Sequence, residues 1–143
     1  MANHPPVVNH PLRPLYRTLA AAAGVFMLLV GVISFMKASG GAFDNSATYA
    51  LGLRTNLAFG AFAALVGAVT LAVTVIGRNL DSKINQIVAY LLFVVGFAQI
   101  ALMQTDGNIF NASITSAIVV FIVGLVLLSA GLYSRVAPAT QRA

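Results

Sequence analysis

The sequence predicts an all-α membrane protein: a bundle of four transmembrane helices with both termini in the cytoplasm. Three observations carry that prediction. Of 143 residues, 59% are hydrophobic and 8% charged, far below the roughly 25% charge of a soluble domain. Four apolar runs, about Leu15–Met36, Leu57–Ile76, Ile84–Met103 and Ile114–Tyr133, match the ~20 helical residues that cross a hydrocarbon core. The basic residues also divide unevenly between the two sides. Arg13, Arg17, Arg78, Lys83, Arg135 and Arg142 fall on one, Lys37 and Arg54 on the other, which places the richer side in the cytoplasm. The chain thus divides into a Pro-rich tail (1–14), a four-helix domain (15–135) and a short C-terminal tail (136–143).

The runs are continuous rather than alternating, which favours helices over a β-barrel. Pro14 suits the first turn of helix one. Gly40-Gly41 and Gly77 follow the first and second spans. Asp81 or Ser82 is expected to cap the third helix, and Asn111 or Ser113 the fourth. Pro138 blocks helix beyond the last span. Helix one is read as retained, because its apolar run is about twice the length of a signal-peptide core.

Two stretches match without a gap, MKASGGAFDNSAT from Met36 and MQTDGNIFNASIT from Met103. Met36/Met103, Gly40/Gly107, Phe43/Phe110, Ser46/Ser113 and Thr48/Thr115 share one offset. The match predicts two tandem helical hairpins related by a pseudo-twofold along the membrane normal. It also offers Ser46 as an alternative start for helix two, which would put Arg54 on a helical extension outside the core, with Asp44 and Asp106 as ion-pair partners.

Small residues recur seven apart, at Gly24/Gly31, Gly60/Gly67, Ala89/Gly96 and Ala117/Gly124/Gly131, as in left-handed helix seams. Gln99 is expected to make an interhelical hydrogen bond. Thr70, Thr74 and Ser129 are expected to bond their own helix carbonyls.

Composition also excludes chemistry. The basic residues are scattered singly, so nucleic acid is not a partner. Asp44, Asp81 and Asp106 fall in predicted loops, leaving no intramembrane carboxylate for a coupled transporter. There is no Cys or Glu, and the histidines His4 and His10 alone make a poor metal site. No nucleophile elbow or phosphate loop appears. The expectation is no catalytic, cofactor or metal residues. An enzyme would need Asp44 and Asp106 in one pocket.

The opening NHPPVVNHPLRPLYR repeats Asn-His-Pro and holds four of the five prolines, so it should be extended. NHPLRPLYRTLAAAAGVFMLLVGVISF resembles the N-terminal signature of a family of small actinobacterial four-helix membrane proteins of unknown function, through Asn9, His10, Pro11, Tyr16 and Arg17. The resemblance implies four spans and a bacterial inner-membrane home, and supplies no activity. Relatives often carry His near the start of helix two, where this chain has Arg54-Thr55-Asn56.

Two functions are consistent with this reading. The first is a non-catalytic accessory subunit of a larger membrane complex, a lipid-transport or respiratory assembly. Its tail (His4, His10, Tyr16, Arg17) and glycine seams (Gly24, Gly31, Gly60, Gly67, Gly124, Gly131) would contact partner subunits. The second is a small carrier or lipid-binding protein acting as a homo-oligomer. Lys37, Asp44, Arg54 and Asp106 would then meet headgroups or ions on the outer face, and Phe43 and Phe110 would cover a groove between the hairpins. A cavity between helices opening outward favours the second role; a bundle filled by its own side chains favours the first.

Overall fold

The computed structural model describes residues 8–137. The expectations for His4, Pro138 and Arg142 lie outside that range. Four helices follow one another: α1 (Arg13–Lys37), α2 (Leu57–Ile76), α3 (Leu80–Leu102) and α4 (Ile114–Tyr133). All four are long and apolar enough to cross a membrane, with mean hydropathy from 1.8 to 2.5. The molecule is a multi-pass membrane protein built as a four-helix bundle.

The chain packs as two antiparallel hairpins, α1 with α2 and α3 with α4, and α1 also lies against α4. Met27, Val30, Phe59, Leu92, Val120 and Leu127 fill the centre. The outward faces carry large apolar side chains, among them Leu29, Phe35, Leu65, Val94, Phe97 and Ile122. Such faces are stable against lipid, whose tails are as apolar as leucine. Both described chain ends meet the α2–α3 turn at one end of the bundle, here the termini end. The two longer connections meet at the other, the loop end.

The glycines set the spacing within α1–α2. A Cβ on Gly31 would come 2.6 Å from the Ala64 backbone nitrogen, and one on Gly67 would come 2.5 Å from that of Leu28. These helices therefore touch backbone to backbone. In α3–α4 the neighbours are aromatic instead: Phe121 sits over Gly96 and Phe93 over Gly124. Gly131 lies against Gln86 and the Ser82 carbonyl. The residues expected to form seams do so within the two hairpins.

Helix starts differ in how they are fixed. Asn56 caps α2 by accepting from the Phe59 amide at 2.9 Å, and Ser113 caps α4 by accepting from Ser116. Neither Asp81 nor Ser82 caps α3, which opens from Asn79 in the left-handed region at φ 63°. The helix therefore starts at Leu80, four residues before the predicted span. Its first turn points Asp81 and Ser82 inward, where they are 1% and 2% exposed.

The Ser46 start for α2 is not realised. Tyr49–Ala50 (β1) pairs antiparallel with Leu53–Arg54 (β2), and the turn places Leu51 and Gly52 at φ 50° and 82°. Two successive positive φ values turn the chain back on itself within two residues, ending any helix there. Arg54 thus lies on a strand. The ungapped repeat fails at the same place. Arg13 to Leu80 is a step of 67 residues between helix starts, but Leu57 to Ile114 is a step of 57. Ser46 is consequently a loop residue and no counterpart of the capping Ser113.

Asparagines tie the loop end together. Asn111 donates to the Ser46 and Thr55 carbonyls at 2.7 and 2.9 Å, and Asn56 donates to Ile109 at 2.8 Å. Ser116 reaches the Arg54 carbonyl at 3.1 Å. Replacing Asn111 with Ala would strip two carbonyls of their donor. The expected cost is about 2 kcal/mol, read as a shift in an SDS unfolding titration.

Candidate ligand-binding site

Polar chemistry concentrates in three regions of the bundle. At the termini end, the Asn9 amide donates to the Arg135 carbonyl at 2.8 Å, and its side chain accepts from Ala137 at 3.1 Å. Asn79 holds Val136 through a reciprocal pair at 2.7 and 2.9 Å. Tyr16 stacks on Tyr133 with ring centroids 5.1 Å apart, and His10 packs on both at 5.6 and 5.2 Å. His10 Nδ1 also accepts from the Leu12 amide at 3.1 Å. Within the described tail, the residues assigned to a cytoplasmic partner are thus seated on the chain's own C-terminal segment.

Arg17, named from sequence as a partner contact, joins three helices. Its guanidinium donates to the Thr74 carbonyl of α2, and its Nε lies 3.2 Å from Asp81 Oδ2 of α3. Arg17 is about one-third exposed at 32%, while Asp81 is almost fully enclosed at 1%. This corrects the placement of Asp81 in a loop: a carboxylate is buried among the helices, one residue inside α3. Its burial requires a nearby cation, and Arg17 of α1 supplies it.

The charges of the loop end do not converge. Asp44 accepts from the Ser46 amide and hydroxyl at 3.1 and 2.8 Å, an Asx-type turn. Arg54 donates to the Asn45 carbonyl at 2.9 Å, and neither Asp44 nor Asp106 pairs with it. Asp106 and Lys37 are exposed. The outer-face set named from sequence is therefore four separate side chains.

The third region is left unsatisfied. Gln99 of α3 is 4% exposed, yet neither its Oε1 nor its Nε2 has a hydrogen-bond partner among the described residues. The expected interhelical bond is absent. The residue instead lines a cavity of about 90 Å³ at the loop end. Val95, Ala98 and Leu102 of α3 form one wall, with Ile109 and Phe110 of the following connection opposite. Phe110 stacks on Phe62 of α2 at 5.4 Å and packs on Phe59 at 5.7 Å, which fixes that wall against α2. Asn108 also lines it, but that amide is committed: it donates to Met103 and Ala112 and accepts from Ala112.

Ala98, Leu102 and Ile109 are exposed on the bundle's surface. The lining therefore reaches the bundle's surface at three apolar residues, and one of its side chains, Gln99, carries an uncommitted amide. No charged side chain lines it. Sequence reading singled out Gln99 and Phe110 separately. The fold brings them to one pocket, while Phe43, at 61% exposed, takes no part. The chain matches no protein-family model, no curated protein and no solved structure.

Proposed function

We propose that this chain is a small, non-catalytic lipid-binding protein of a bacterial inner membrane, self-sufficient as a bundle, with its binding site in the pocket at the loop end. The observation that carries this reading is Gln99: a buried side chain lining the cavity, with both amide atoms unpaired among the described residues, beside an apolar lining that reaches the bundle's surface. Leaving such a group unpaired costs about 1–3 kcal/mol, which a suitable ligand would recover. The accessory-subunit role drew on the absence of catalytic or transport groups, on small-residue helix faces and on a tail held by a partner. The glycines are closed inside the hairpins, and the described tail residues lie on the chain's own C-terminal segment.

Extraction in mild detergent followed by native mass spectrometry tests this. The expected species is the chain without foreign subunits, carrying a lipid-sized mass adduct. Ala98→Trp, which puts a bulky ring where the lining reaches the outer surface of α3, is expected to remove the adduct while the protein stays folded. Recovery only in company with other proteins, or an adduct unchanged by Ala98→Trp, contradicts the reading.

A further inference from the structure

We infer that the pocket selects an uncharged lipid bearing a free hydroxyl, and holds that hydroxyl at Gln99; this rests on the lipid-binding reading above. The selection follows from what Gln99 offers. Nε2 needs an acceptor and Oε1 needs a donor, and neither finds one among the described residues. A hydroxyl fills both roles with one oxygen. A phosphate diester or carboxylate only accepts, so it would leave Oε1 unpaired. It would also bring a negative charge into a cavity whose lining holds no cation. A quaternary ammonium neither accepts nor donates. Charged headgroups are therefore disfavoured twice, by unmatched hydrogen bonding and by uncompensated charge.

Size and depth agree. About 90 Å³ is smaller than the roughly 150 Å³ cavity that takes up a benzene, enough for a hydroxyl and a few carbons but not a whole lipid. The remainder of such a ligand must lie outside, along the exposed apolar side chains of Ala98, Leu102 and Ile109. Gln99 sits three residues before Leu102, the last residue of α3, which is about 4.5 Å along the helix axis. That is the level where apolar chain gives way to headgroup. A water on the same amide would keep a second proton to place against a largely apolar lining, whereas a lipid hydroxyl has only one.

The test uses photoactivatable lipids in vesicles holding the full chain. One arm is a diazirine-bearing diacylglycerol, and the other is phosphatidylmethanol, a phosphate diester with identical acyl chains. Labelled peptides are mapped by mass spectrometry. The expected result is diacylglycerol labelling within residues 95–110, at least about tenfold above phosphatidylmethanol, and a drop of about tenfold in Gln99→Leu, as expected for two lost hydrogen bonds. Ala98→Trp provides a second variant that leaves the buried amide in place and should also abolish labelling. Equal labelling by the two lipids, or full labelling of Gln99→Leu, overturns the hydroxyl selection while lipid binding stands. Labelling of these residues by neither lipid overturns both.

Discussion

Gly67→Leu is expected to force α1 and α2 apart and to destabilise the bundle by about 3 kcal/mol, at the upper end of the overpacking range. The position has no slack. A Cβ there meets Leu28 N at 2.5 Å, Gly24 O at 2.6 Å and Leu28 Cα at 2.9 Å, all backbone atoms. Backbone cannot rotate away as a side chain can, so the helices themselves must move. Gly124→Leu should cost less, because the nearest atoms there belong to the rings of Phe93, which can turn. Gly41→Leu, with nothing within 4 Å, should be near neutral. SDS unfolding titrations of the three variants should rank them in that order.

The second large effect is an asymmetry. Arg17→Met is expected to cost about 3 kcal/mol, because it strands Asp81 at 1% exposure without its cation. Asp81→Asn should cost less. Arg17 is 32% exposed, so its guanidinium keeps access to water or headgroups and retains its bond to the Thr74 carbonyl. The double variant Arg17→Met, Asp81→Asn should recover much of what Arg17→Met alone loses, since no buried charge remains. Thermal or SDS unfolding of all three completes the cycle. Equal costs for both single changes, with simple additivity in the double, would show that the two residues act independently.

Residue pattern alone located what depends on hydrophobic length. Leu57–Ile76 and Ile114–Tyr133 coincide with α2 and α4, because a polar cap and an abrupt end of apolar residues bound each one. The start of α3 was obscured because its first turn, Leu-Asp-Ser-Lys, reads as loop. Only the tertiary position of Arg17 makes a helical, inward-facing Asp81 tolerable. The β1–β2 hairpin was hidden for a different reason. Its turn is Leu51-Gly52, and a leucine at positive φ is not a turn signal that composition offers. The glycines were legible as close-approach positions but not in their choice of neighbour, since spacing within one helix does not say which helix it meets. Gln99 was visible as a polar residue in an apolar span. That it would find no partner depends on Asn108 having turned to Met103 and Ala112, a local loop geometry that spacing does not encode.

An experimental structure of the chain in lipid nanodiscs tests the central claim most directly. The account predicts the same closed glycine seams and an elongated density that enters between Ala98, Leu102 and Ile109 and ends at the Gln99 amide. A collapsed pocket, with Gln99 hydrogen-bonded to a neighbouring helix and no density beside those three residues, would contradict it.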